Sequence, residues 1–189
     1  MSRLFFAVIA LALPLAASAA EVAGVKLEDR VRVGTADLVL NGAGVRTRFF
    51  VKVYVGGLYV AEKKSSAADL LSAPGPKRVS ITMLRDVGAG TFIQSLNEGF
   101  RNNSTPAEVD KLKPQLDEFE AVITALGEAK KGQVIALDFV PGAGTTVSLN
   151  GEARGKPIPG DDFYRGLLRI WLGDRPADED LKKAMLGAG

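Results

Sequence analysis

The sequence predicts an α+β domain, and three observations carry that expectation. Between Gly42 and Val60 side chains alternate with a period of two, the pattern of a β-strand. A central block from Phe92 to Leu126 places apolar residues at spacings of three and four, the pattern of helix, and strand-like segments lie on both sides of it. Helical patterns then close the chain, so strands and helices are segregated rather than wound as regular βαβ units.

Taken in order, the first 19 residues read as a secretory signal peptide. Arg3 is its positive n-region, Leu4–Leu15 its apolar h-region and Ala17-Ser18-Ala19 its small-residue cleavage site. The apolar run is shorter than the ~20 residues that span a bilayer, and no later segment qualifies, so the mature chain is expected to have no transmembrane segment. Residues 20–189 read as one domain, periplasmic or secreted. Within it, Val22–Val33 and Ala36–Leu40 predict short strands, and Asn41-Gly42 predicts a turn into one long alternating strand. Val45, Thr47, Phe49, Val51, Val53 and Val55 form the face assigned to the core; Arg46, Arg48, Phe50, Lys52 and Tyr54 form the other. A face of cations and aromatics suits either solvent or a pocket for an anionic, largely apolar ligand.

Ser65–Ala73 predicts a short serine-capped helix stopped by Pro74-Gly75-Pro76, and Val79–Leu84 a strand. Thr91 and Gln94 fit a capping box for a helix from Phe92 to Asn102. Val109, Leu112, Leu116, Phe119, Ile123 and Leu126 predict one kinked helix or two abutting ones, because Pro114 removes an amide donor inside the pattern. Gln133–Val140 and Thr145–Leu149 predict a hairpin around Pro141-Gly142-Ala143-Gly144. A helix starting at Gly160-Asp161-Asp162 and ending at Gly173, and a last one over Asp178–Leu186 that buries Leu181 and Met185, complete the expectation.

Composition excludes several chemistries. Cleavage after Ala19 leaves 170 residues with 23 basic and 22 acidic side chains, too balanced for a nucleic-acid partner. With no Cys there is neither a disulfide nor a lipid-bearing cysteine at the cleavage site. With no His the usual general base and the commonest metal ligand are missing. Structural zinc, Ser-His-Asp hydrolysis, thiol catalysis and conventional haem ligation are thereby set aside, and no metal or cofactor is expected. Gly42-Ala43-Gly44-Val45-Arg46-Thr47 opens like a dinucleotide fingerprint but lacks the third glycine and leads into a strand, so its glycines read as turn residues.

Arg46 and Tyr54 are the candidates for holding a ligand head group, since a guanidinium fork matches a carboxylate and a phenol adds a hydrogen bond. Eight residues of straight strand span ~26 Å at ~3.3 Å each, so the two meet one head group only if the segment bends sharply or folds back on itself.

The stretches GAGVR at Gly42–Arg46, VKVYVGGLYV at Val51–Val60 and IWLGDRPADEDLKKAMLG at Ile170–Gly187 resemble the chalcone isomerase-like superfamily in its bacterial exported branch. The resemblance implies an open-faced β-sandwich, a large mostly antiparallel sheet flanked by helices. The family holds isomerases that close a chalcone to a flavanone, fatty-acid-binding proteins and non-catalytic relatives. Its G-x-x-R arginine, which steadies a phenolate in the isomerases and meets a carboxylate in the fatty-acid binders, matches Arg46. In the F-x-K-x-T stretch of the isomerases this chain carries Tyr54, as the fatty-acid-binding relatives do. The isomerase tyrosine and asparagine align with Phe92 and Gly99, and the last active-site threonine finds no match near Asp162 and Phe163. Phe92 and Gly99 offer no polar group to an enone and its developing enolate, which argues against chalcone isomerisation. The resemblance therefore implies a binder of a small hydrophobic or amphiphilic carboxylate, a fatty acid or similar, at Arg46, Tyr54 and Phe92. Arg48, Lys52 and the Phe100-Arg101 corner are further candidates for the lining. The alternative is an intramolecular lyase or isomerase acting on a phenolic or enone substrate through Arg46 and Tyr54.

Overall fold

The main sheet forms in chain order, each strand antiparallel to the one before it. In the computed structural model, which describes residues 20–188, its strands are β3 (Arg30–Val33), β4 (Ala36–Arg48), β5 (Val51–Val60), β6 (Lys77–Met83), β7 (Val134–Val140), β8 (Gly144–Leu149) and β9 (Glu152–Ile158). A separate hairpin of β1 (Ala20–Val22) and β2 (Val25–Leu27) precedes it. The sheet curls into a half-barrel, bringing the β3–β4 turn at Gly34 against Val140 of β7. The expected signal peptide lies outside the described residues.

Six helices fill the connections. These are α1 (Ala67–Ser72), α2 (Ala89–Asn102), α3 (Pro106–Lys111), α4 (Lys113–Leu126), α5 (Asp161–Leu172) and α6 (Glu179–Met185). One sheet face carries Tyr54, Leu58, Val79, Ile81, Ile135 and Leu137 against Phe100, Phe119, Phe163, Leu167 and Trp171 of the helices. The opposite face buries Leu38, Leu40, Val55 and Tyr59, closed by Leu27 of β2. Alternation along the strands produces these two cores, because a period of two sends neighbours to opposite sides.

The structure departs from the sequence reading where a side chain bridges elements far apart in sequence, or where a turn lacks turn residues. The long alternating segment is two strands, folded back at Phe49 and Phe50, whose φ values are +48° and +64°. Neither Gly nor Asn marks that turn, so the alternation runs through it unbroken. Phe49 and Val51, assigned to the core by alternation, are consequently exposed at the tip. Asn41-Gly42 is no turn but a bulge inside β4, where Asn41 donates to the carbonyls of Lys64 and Met185 and accepts from the Lys64 amide. Gly42 and Gly44 are likewise strand residues.

α2 starts at Ala89 behind Gly88, so Thr91 lies within its first turn and does not cap it. The pattern from Val109 to Leu126 is two abutting helices, α3 and α4. Thr105 and Glu108 form the reciprocal capping box of α3, and Pro114 sits in the first turn of α4, where its missing amide has no partner to lose. β9 has no sequence signature, since six of its seven residues are exposed and none before Ile158 marks a buried face. α1, α5 and α6 lie within two residues of the expected bounds, and the structure places Ser66, Gly160 and Asp178 at their N-caps.

Candidate functional site

Folding β4 onto β5 is what makes a site. Because the chain reverses at Phe49-Phe50, Arg46 and Tyr54 become direct cross-strand partners, eight residues apart in sequence and neighbours in space. The Arg46 guanidinium carbon stands 5.5 Å from the centre of the Tyr54 ring, close enough for a cation–π contact. One position further, Arg46 pairs with Tyr54 while Thr47 pairs with Lys52, so Val53 is an extra residue in β5. That bulge turns Val53 toward the helix side with Tyr54 instead of away from it, and Val53 packs against the helix-side core.

Beside this pair a cleft of about 350 Å³ opens between the β4–β5 hairpin, the β6–α2 loop and the first turns of α2. Val51, Val53, Val87 and Phe92 supply its apolar surface, and Thr91 and Ser95 supply hydroxyls one helical turn apart. An isolated bridge between Val87 and Ala129 pins the loop that carries Arg85, Asp86 and Val87. The charges are uneven: three guanidinium groups, Arg46, Arg48 and Arg85, face one carboxylate, Asp86, which accepts the Lys131 amide at 2.7 Å. Among the described residues no salt bridge joins any of the three arginines to a carboxylate. Arg48 reaches Ser95 Oγ at 3.4 Å, whereas Arg46 Nε is buried without a hydrogen-bond partner among the described residues. A buried donor left unpaired is costly, of order 1–3 kcal/mol.

Tyr54 stands behind Arg46 rather than in the cleft wall. It is buried, and its hydroxyl oxygen accepts a 2.8 Å hydrogen bond from Trp171 Nε1 of α5. Burial is the main reason its phenol titrates above the usual range, so the hydroxyl stays neutral next to the Arg46 charge. Asp178, the acid nearest this pair, spends its carboxylate on backbone amides: Thr47 at 2.8 Å, Asp180 at 2.9 Å and Leu181 at 3.0 Å. It ties the start of α6 to the end of β4 and leaves Arg46 without an ion pair.

Of the residues singled out in the sequence, Arg46, Arg48 and Phe92 line this cleft together. Tyr54 touches it through Arg46. Lys52 is exposed on the hairpin, and Phe100 is buried in the helix-side core. Arg101 borders a different and larger depression of about 720 Å³ with Arg169 and Lys182, whose cations are already engaged by Glu108 and the Gly173 carbonyl. Gly99 lies under Ile170 at the α2–α5 contact, Phe163 is core, and Asp162 pairs with Lys111 and Arg165 on the surface. Arg85, Ser95 and Val87 went unnoticed in the sequence, while Thr91 was read as a helix cap and Val53 as a core residue rather than as cleft lining. Thr91 and Ser95 carry the one available signal, a hydroxyl pair at helical spacing beside Phe92.

No helix among the described residues is long and apolar enough to cross a membrane. The family model described as chalcone isomerase-like matches residues 19–187 of the chain. No match is found among curated proteins. Among solved structures the fold is similar to that of a fatty-acid binding protein from Arabidopsis thaliana, with a TM-score of 0.67 at 18% sequence identity, over 86% of this chain and 92% of that one.

Proposed function

The chain belongs to the chalcone isomerase-like family, and on that premise we propose that it binds a small hydrophobic carboxylate, a fatty acid or similar, in the cleft headed by Arg46. The observation that carries this reading is the buried, unpartnered Arg46 Nε at the edge of an apolar cleft with three guanidinium groups and one carboxylate. A carboxylate there accepts from Arg46, with Arg48, Arg85, Thr91 and Ser95 around it, while the tail lies along Val51, Val53, Val87 and Phe92. Tyr54, held by Trp171, serves from behind by fixing the guanidinium over its ring face. The fatty-acid-binding structural neighbour supports the ligand class. The isomerase tyrosine and asparagine are replaced by Phe92 and by Gly99, which lies under Ile170 outside the cleft, and the hydroxyls that α2 does bring, Thr91 and Ser95, stand beside the arginines as further donors to a carboxylate.

The cleft is small for its class. At ~30 Å³ per water-sized group it holds roughly a dozen heavy atoms. Affinity is thus expected to rise with tail length and to level off near ~10 carbons, once further methylenes leave the cleft past Phe49.

Titration of saturated fatty acids against the protein and Arg46→Ala tests the reading. One charge-assisted hydrogen bond contributes ~1.5–3 kcal/mol, so the variant is expected to bind ~10- to 100-fold more weakly with its thermal stability unchanged or raised. Equal binding by both proteins would sink the role of Arg46. Export is proposed on the n-, h- and c-region order of residues 1–19, and N-terminal sequencing of protein recovered from the producing cells should begin at Ala20.

A further inference from the structure

The helix-side core takes in Phe92, Phe100, Phe119, Phe139 and Phe163, each no more than 5% exposed. Phe49 and Phe50 are 83% and 102% exposed, and Val51 beside them is 42% exposed. Folding does not ask for these rings. A two-residue hairpin turn with both residues at positive φ is most easily made by Asn-Gly, and two aromatic side chains there carry strain that no packing contact offsets. Strain and exposure at one place point to a use outside the fold.

We propose that the Phe49-Phe50 tip is a membrane-surface contact, which seats on anionic lipid headgroups with its rings in the interfacial layer. Charge selects that occupant. The apolar pair is flanked by Arg48 and Lys52, both exposed, and Arg48 holds its guanidinium 5.5 Å from the Phe49 ring centre, so a cation accompanies the ring. Arg85 adds a third cation at the same end. The nearby acids Asp86 and Asp178 hold backbone amides rather than these side chains, so among the described residues none of the three cations is tied up in an ion pair and they outnumber the two carboxylates at this end. Exposed aromatics framed by Lys and Arg have the make-up of an interfacial anchor, in which apolar insertion and attraction to anionic lipid act together. Position agrees, because Arg48, Phe49 and Val51 also form one lip of the cleft, which the seated tip would open toward the lipid surface. The contact does not depend on which ligand the cleft takes.

Co-sedimentation with large vesicles decides it, comparing vesicles of equal parts phosphatidylcholine and phosphatidylglycerol with vesicles of phosphatidylcholine alone. The protein is expected to sediment with the anionic vesicles and to be released by added salt, and Phe50→Ser to lower its partition at least ~10-fold. Phe50 lies outside the cleft wall, so fatty-acid titration of the same variant should match the parent and separate this result from any failure of the cleft reading. Lys52→Gln provides a second variant that leaves the turn intact, with a smaller loss confined to anionic vesicles. Failure of the parent protein to sediment, or sedimentation of Phe50→Ser at the parent level, overturns the proposal. So does a dimer in sedimentation equilibrium that Phe50→Ser dissolves, because a second copy would then be what covers the tip.

Discussion

The β4–β5 hairpin is built in two ways along its length. Toward its closed end Gly42, Gly44 and Gly56 lie under α6, with no room for side chains: a Cβ on Gly42 would run into the Ala184 carbonyl oxygen, and one on Gly44 would stand 2.6 Å from the Ala184 Cβ. Toward its open end the same two strands carry Arg46, Arg48, Phe49 and Phe50, and no helix lies on the tip. Arg46 and Tyr54 sit at the boundary, one at the cleft and the other bonded to Trp171 in the core. Small residues let a helix seal the sheet, large charged and aromatic ones leave it open, and the cleft lies where one regime gives way to the other. On that reading, stability should depend on the closed end and binding on the open end.

The largest test of that division is Gly42→Ala. Its methyl meets backbone on α6, which cannot rotate away as a side chain can, so a loss of about 3 kcal/mol in urea unfolding is expected. Parent-like stability would mean that α6 does not seal the sheet there. Next, Tyr54→Phe strands the Trp171 Nε1 hydrogen in the core, and a loss of about 1–3 kcal/mol is expected with only a modest change in fatty-acid affinity. Should affinity fall as far as in Arg46→Ala while stability holds, the phenol itself meets the ligand and the boundary moves one residue inward.

The open end should respond in the opposite direction. Replacing Phe49 by Asn and Phe50 by Gly relieves two strained positions and removes no buried surface, so a gain of about 1 kcal/mol is expected in the same unfolding assay. A loss instead would show that the tip is part of the fold. The smallest effect is absent at neutral pH. Burial, the main cause, pushes the Tyr59 phenol up to about 12, and raises Tyr54 and Tyr164 as well. A raised phenol pKa favours the neutral form in the folded state, so this stability is intact below the ordinary value of ~10 and is lost as pH climbs from there toward 12. Unfolding measured across that window should show the decline, and Tyr59→Phe should make it shallower. An equal decline in the variant would assign it to the other two tyrosines.

Much of the architecture was legible because local signals state it. The serine cap of α1, the glycines at 160 and 173, the Pro141–Gly144 loop and the apolar faces of α4 and α5 each follow from what a helix end, a tight loop or a buried stripe requires of nearby residues. β9 was invisible because it pairs by backbone alone and buries only Ile158. Of the candidate site, Arg46 was singled out from its charge and its place in the motif, and Phe92 from its alignment. Arg85, Val87 and Ser95 come from a loop and a helix that reach the cleft only after the sheet has curled, and chain order holds no trace of that meeting.

The sequence by itself determined the α+β class, most element boundaries, the exclusion of His and Cys chemistry and the family motifs around Arg46 and Tyr54, all of which depend on residue identity or short-range spacing. Tertiary structure alone decided that the alternating segment folds back at two phenylalanines, that Asn41-Gly42 is a bulge beneath α6, and that Tyr54 belongs to Trp171 while Arg46 Nε has no partner. The physical reason is that a hydrogen-bond partner or a steric limit on a glycine depends here on groups more than a hundred residues away, and the surroundings of the guanidinium on others tens of residues away, and the period of a strand carries no information about them.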